Sequence, residues 1–166
     1  MPPDSGAQSN EPGYPRELEG GASLRDGTIV RIRPIRPDDD VKLIEFSRRL
    51  SPETVYRRFF RSLPALPLEW ARHFANVDYR DRLALVAETD DPAAALIAVA
   101  RYEAVPEHEA VKEVALLVED RWQGHGLGGT LLDRLLDAAA ARGIHEFQAD
   151  VLAGNRRMLD LLLRRT

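Results

Sequence analysis

The chain has 166 residues, 44% of them hydrophobic, with 27 acids against 23 lysines and arginines and no cysteine. That length suits one domain with one buried core, and the missing cysteines exclude disulfides, thiolate metal sites and a cysteine nucleophile, in keeping with a reducing, cytoplasmic location. Beyond residue 27 the charges nearly cancel, at 22 acids and 21 bases, which gives no basic track for nucleic acid or an anionic membrane surface. The opening residues lack the basic start and apolar core of a signal peptide, and no apolar run approaches the ~18 to 20 residues of a membrane span.

Residues 1–24 are rich in Pro, Gly, Ser and acids without a sustained hydrophobic period, so they are expected as a flexible tail before a domain over 25–166. After the turn signal Asp26-Gly27, Thr28 to Ile35 has the β-branched content of a strand, and Pro34 marks its end or a sheet edge. Asp38, Asp39 and Asp40 open a helix over 37–50, where acids suit the positive end of the dipole. Ser51 before Pro52 predicts a capped second helix with Val55, Tyr56, Phe59 and Phe60 on one face, beside Arg57, Arg58 and Arg61. The three arginines read as a solvated face or as a site for an acidic acceptor. A third helix over 68–76 is expected to bury Trp70 and Phe74.

Two apolar runs, 82–88 and 94–103, flank Thr89-Asp90-Asp91-Pro92 and predict a β-hairpin. A strand over 112–118 precedes an amphipathic helix over 127–141, with leucines at 127, 131, 132, 135 and 136 and a stop at Arg142-Gly143. A strand over 144–152, the turn Ala153-Gly154 and a last helix over 155–165 complete the order. An antiparallel half followed by one βαβ crossover makes a mixed α/β layer.

Between the strand 112–118 and the helix 127–141 stand glycines 124, 126, 128 and 129. A helix start carries unpaired N–H groups and positive partial charge, and glycines let an anion approach them, so the turn predicts a pyrophosphate cradle. Gln123 offers an amide donor and Thr130 a hydroxyl for a phosphate oxygen, while His125 reads as a backbone donor with its ring toward solvent. Glycines serving only packing or a strained turn are the plainer alternative. Gly124, Gly126 and Gly129 also spell G-x-G-x-x-G, with Asp150 about 20 residues on, as a dinucleotide fingerprint asks. Against that reading, residues 119–123 intervene between strand and first glycine, and the preceding strands are antiparallel rather than βαβ.

Gln123-Gly124-His125-Gly126-Leu127-Gly128 fits Q/R-x-x-G-x-G/A, and Asn155-Arg156-Arg157-Met158 begins the helix after the next strand. In these two motifs residues 28–166 resemble the GNAT N-acetyltransferase superfamily. The stretches Ile32 to Asp38 and Leu50 to Phe60 are similar to its bacterial protein-lysine acetyltransferase branch, whose domain is often fused to a nucleotide-sensing or CoA-ligase-like module without counterpart in these residues. The resemblance implies a central mixed sheet with helices on both faces, acetyl-CoA as acyl donor, no metal, and a primary amine, by branch a protein lysine, as acceptor.

It further implies that backbone groups of Leu116, Leu117 and Val118 hold the acyl carbonyl and pantetheine. The turn residues Gln123, Gly124, His125, Gly126, Leu127, Gly128, Gly129 and Thr130 would hold the pyrophosphate, and Asn155 would touch the pantetheine or the reacting region. Glu113 stands where several family members carry a general base. A solvated edge carboxylate paired with Lys112 or Arg101, and an ordinary helix N-cap at Asn155, are the structural alternatives.

The family's usual two further strands after the Asn-bearing helix have no counterpart before Thr166, so a C-terminally short domain is expected. Leu159, Leu161, Leu162 and Leu163 are then expected as apolar surface for a partner chain. Tyrosines 14, 56, 79 and 102 all precede the glycine turn, so no general acid carries over and thiolate release falls to solvent. An acyl-CoA-binding domain without turnover is the alternative to an enzyme.

Overall fold

The computed structural model describes residues 13–166. Six strands form one sheet in chain order: β1 (Gly20–Ser23), β2 (Ile29–Pro34), β3 (Leu83–Thr89), β4 (Leu96–Ala104), β5 (Val111–Val118) and β6 (Glu146–Gln148). Neighbours from β1 to β5 are antiparallel, whereas β5 and β6 are parallel. A parallel pair needs a crossover, and α4 (Leu127–Ala141) supplies it.

Helices cover both faces. On one, Leu127, Leu131, Leu132 and Leu135 of α4 pack on Leu83, Leu85, Ala100, Tyr102 and Val114. On the other lie α1 (Asp40–Arg48), α2 (Pro52–Phe59) and α3 (Leu68–Ala75), where Leu43, Phe46, Val55 and Ala71 meet Ala84, Val86 and Val99. Because β3 and β4 are buried on both sides, their sequences are nearly continuous apolar runs. The predicted caps are present: Ser51 Oγ accepts from the Thr54 N–H at 3.1 Å. Gly143 takes φ 78° at the end of α4, where the Ile144 N–H donates to the Ala139 carbonyl at 2.9 Å.

Several expectations are corrected. Residues 1–12 lie outside the described residues, but 13–24 are structured: a 3-10 turn Arg16–Leu18 leads into β1, and Tyr14 and Leu24 join the core. Two glycines in a four-residue strand hid this hairpin from pattern reading. With β1 added, β2 is internal, so Pro34 marks its end and not a sheet edge.

Tyr56 and Phe60 are 51% and 42% exposed and do not share the buried face of Val55. Phe60 has φ 58° and terminates α2 in the left-handed conformation. Trp70 and Phe74 are half-buried, stacked with arginines rather than sunk in the core.

The strand expected over 144–152 shrinks to Glu146–Gln148, since Ile144 is spent on the helix stop and the chain leaves β5 after Gln148. The last helix, α5 (Arg156–Leu163), does not present all its leucines to solvent. Leu161 and Leu162 pack against the α4 core, while Leu163 is 67% exposed.

Of the three aspartates read as dipole partners, Asp39 has a different task. It is buried with Arg33 in an ion pair at 2.8 Å, and Arg33 also reaches Glu88 at 3.2 Å. Its carboxylate accepts from the Arg36 N–H at 2.7 Å as well, so a buried charge network fixes the entry to α1.

Candidate active site

β5 and β6 pair only from Val111 with Glu146 to Glu113 with Gln148. Beyond Glu113 the strands part, and the β6-facing edge of Val114 to Val118 has no strand beside it. The gap is a cleft of about 300 Å³ lined by β5 from Glu113 to Val118, by glycines 124, 126, 128 and 129, by Asn155, and by Arg57 and Arg58 of α2. The structure thus gathers β5, the glycine turn, Asn155 and Glu113 around one opening. Strand alternation turns the backbone groups of Leu116 and Val118 to this opening, the Val118 carbonyl already accepting from Gln123, whereas Leu117 opposite Val99 turns its amide and carbonyl to β4, which corrects its expected place in the backbone grip.

Between β5 and the turn, a 3-10 segment Asp120–Trp122 brings the chain back beside α2. The Asp120 carboxylate accepts from the Ser51 N–H at 2.9 Å, the Ser51 hydroxyl at 2.6 Å and the Thr54 hydroxyl at 2.9 Å. Partial burial works against its charge, yet these donors hold the carboxyl below its ordinary value. Gln123 continues the junction: its amide donates to the Val118 carbonyl at 2.9 Å and accepts from Arg157 at 3.1 Å. Its amide nitrogen is thereby committed to the protein rather than left as a spare donor.

The glycines divide by role. Gly124 and Gly126 have φ of 81° and 88°, a region costly for other residues, and no side chain caps α4 after Gly126. First-turn N–H groups are left for a ligand. Gly128 and Gly129 serve packing: an added Cβ would stand 3.1 Å from Leu116 Cδ2 and 3.0 Å from Arg165 Nη2, respectively.

Thr130 donates its hydroxyl to the Gly126 carbonyl at 3.0 Å, a bond within the helix in place of the phosphate contact expected of it. Leu127 is a core side chain, 1% exposed, so only its backbone remains for the turn. His125 accepts at its carbonyl from the Arg25 N–H at 3.1 Å, and its ring lies outside the main cleft. Asn155 caps α5, accepting from the Met158 N–H at 3.3 Å, while also lining the cleft.

Sequence reading missed Arg25. It follows β1, lines the cleft, and its guanidinium lies over Gly126, 3.4 Å from where a Cβ would be. The N-terminal hairpin thereby adds a cation at the helix start.

Glu113 is half-buried and forms no ion pair within 4.0 Å among the described residues. The two bases considered as its partners are engaged elsewhere: Lys112 with Asp81 at 3.5 Å and Arg101 with Glu103 at 3.0 Å. Among the described residues no group of three or more His, Asp or Glu is placed to hold a metal ion, and no helix is long and apolar enough to cross a membrane.

A sheet that opens after β5 onto a glycine-rich helix start agrees with the comparisons to known proteins. The Acetyltransferase (GNAT) family matches residues 47–165. Acetyltransferase PA5475 of Pseudomonas aeruginosa is 34% identical over 140 residues, 84% of this chain and 75% of that protein. Acetyltransferase Pat of Mycolicibacterium smegmatis is 31% identical over 141 residues, but the chain spans only 42% of its length. Among solved structures, the GNAT domain of S. lividans PAT aligns with TM-score 0.82 at 34% identity, covering 91% of this chain and 88% of that one. A cAMP-binding acyltransferase from Mycobacterium smegmatis aligns with TM-score 0.62 at 27% identity over 91% of this chain and 45% of that one.

This chain belongs to the GNAT acetyltransferase family. The dinucleotide reading falls with that result, and the strand order excludes it independently, since nothing before α4 is a βαβ unit.

Proposed function

We propose that this protein moves an acetyl group from acetyl-CoA to a primary amine, the amine of a protein lysine. The observation that carries the proposal is the unpaired edge of β5 running into the uncapped start of α4. An extended chain with amide groups binds along the first, and a pyrophosphate at the second. Acetyl-CoA has both parts in that order and supplies the activated thioester.

In this reading the β5 backbone at Leu116 and Val118, the residues whose amides face the open edge, orients the pantetheine and acyl carbonyl. The N–H groups from Gly124 to Gly129, with Arg25 above them, hold the pyrophosphate. Asn155 keeps α5 at the cleft wall and offers its side chain to the pantetheine. Glu113 takes a proton from the incoming ammonium, directly or through one water, so that the amine lone pair attacks the thioester carbon. The tetrahedral intermediate then collapses with cleavage of the C–S bond, the amide nitrogen loses its remaining extra proton to solvent, and CoA leaves as a thiolate that solvent protonates. Glu113 forms no ion pair within 4.0 Å among the described residues, so its oxygens are open to the ammonium.

The lysine acceptor is favoured by the similarity to Acetyltransferase Pat and to the GNAT domain of S. lividans PAT. Calorimetry with acetyl-CoA and NAD, followed by CoA release with lysine peptides, lysine-bearing proteins and small amines, tests the proposal. Binding of acetyl-CoA without release on any amine would turn the site into a sensor.

A further inference from the structure

The face of β5 that carries Glu113 meets α2, opposite the α4 face, and there the charges do not cancel. Arg101 feels the charges of both Arg58 and Arg82, against Glu103, and Arg58 feels Glu113 and Glu103. Glu103 is taken by both Arg82 and Arg101. Arg101 is further held by the Phe74 carbonyl at 2.6 Å, and burial pushes its guanidinium down to about 9 despite Glu103.

Arg58 has no such partner. It makes no ion pair and no hydrogen bond among the described residues, and lies over the Phe59 ring at 4.8 Å and the Phe74 ring at 6.0 Å. Burial lowers the Arg58 guanidinium pKa, the charges of Glu113 and Glu103 offset this only in part, and both Arg58 and Glu113 line the cleft. A guanidinium held on aromatic faces with its donors unused is preorganised for a planar anion, which it binds through two parallel N–H bonds.

We infer that Arg58 binds a carboxylate that the acceptor carries close to its reactive amine, so that acidic neighbours of the acceptor amine are selected. The inference rests on the transfer reaction proposed above. Arg58 shares the sheet face of Glu113, whereas the glycine turn begins the helix on the other face, so an anion at Arg58 lies beside the proposed base and apart from the proposed pyrophosphate cradle. Arg57, 38% exposed and paired with Glu53 at 2.8 Å, extends the positive rim.

The test compares peptides whose single lysine is flanked by Asp and Glu with peptides flanked by Asn and Gln, at saturating acetyl-CoA. Wild type is expected to favour the acidic peptide about tenfold in kcat/KM, the effect of one charge-assisted pair. The ratio falls to near one in Arg58→Gln, is intermediate in Arg58→Lys, and keeps its wild-type value in Arg48→Gln, an exposed site on α1. If Arg58→Gln does not fold, as a thermal melt reads, Arg58→Lys carries the comparison.

A wild-type ratio near one overturns the inference and leaves the transfer reaction intact. If no peptide is acetylated, the transfer reading fails, and calorimetry of the CoA-loaded protein with the Nε-acetyllysine forms of both peptides decides the inference. Tighter binding of the acidic form supports it, and equal binding overturns it. A gain on replacing acetyl-CoA by succinyl-CoA with the neutral peptide, lost in Arg58→Gln, would assign the guanidinium to the acyl group and also overturn it. Free lysine as acceptor separates an α-carboxylate from a neighbouring acidic side chain as the anion recognised.

Discussion

Asp120 and Ser51 are joined twice, through the Ser51 N–H at 2.9 Å and its hydroxyl at 2.6 Å. The pair bolts the N-terminus of α2 to the segment that leads into the glycine turn. Asp120→Asn keeps the shape and removes the charge, and is expected to cost about 1 kcal/mol because the carboxylate is solvent-exposed. The folded carboxyl lies below its ordinary 3.8, so its contribution is full above that value and is lost as pH falls through the lower folded value. Thermal melts at pH 7 and pH 3 check this: the difference between wild type and variant should be larger at pH 7.

Glu113→Gln removes the proposed proton acceptor from the cleft without adding bulk. A loss of about 10² to 10³ in kcat is expected near neutral pH, with acetyl-CoA affinity within about twofold of wild type. CoA release and calorimetry read the two quantities separately. Equal turnover would take Glu113 out of the reaction.

Gly126→Ala places a side chain at φ 88° beneath Arg25. The backbone strain is about 1 to 2 kcal/mol, and relief would turn the first N–H groups of α4 away from the cradle. Acetyl-CoA binding should weaken at least tenfold, by calorimetry, while Gly154→Ala, with open space around its Cβ position, should bind as wild type.

Arg25→Ala removes the cation over Gly126. Affinity for acetyl-CoA is expected to fall about five- to tenfold at low salt, with a smaller difference at 0.5 M salt because an exposed charge is screened. Titrations at the two ionic strengths give the comparison. A salt-independent loss would mean that Arg25 acts through packing alone.

The parts of the fold legible in the sequence are those with a strong local period or a capping signature. The leucines of α4 and the stop at Arg142-Gly143 mark that helix, and Ser51-Pro52 marks the start of α2. β1 was illegible because Gly20, Gly21, Ala22 and Ser23 have little strand preference of their own. β2 imposes the conformation, and the Gly21 carbonyl accepts from Arg134 of α4 at 2.8 Å. Arg25 was hidden for the same reason, since its position over the turn depends on that hairpin.

The glycine turn reads as a candidate helix-start anion site by spacing alone, and the structure leaves the start of α4 without a side-chain cap. Which glycines bend the chain and which admit Leu116 and Arg165 depends on tertiary neighbours. In the sequence Arg58 reads as part of a solvated face or a site for an acidic acceptor, and Arg101 as a candidate partner of Glu113. Their different fates follow from Glu103, which pairs with one and leaves the other open.

The parting of β5 from β6 also bears on how such a domain changes its chemistry. Along β5 the contacts proposed for the donor come from the main chain, and any residue except proline supplies the same amide and carbonyl. Across the cleft, recognition falls to side chains such as Arg58, where one codon alters what is bound. Specificity for the amine can therefore drift while the thioester grip stays constant, so substitutions confined to α2 should redirect acceptor choice without reworking the sheet.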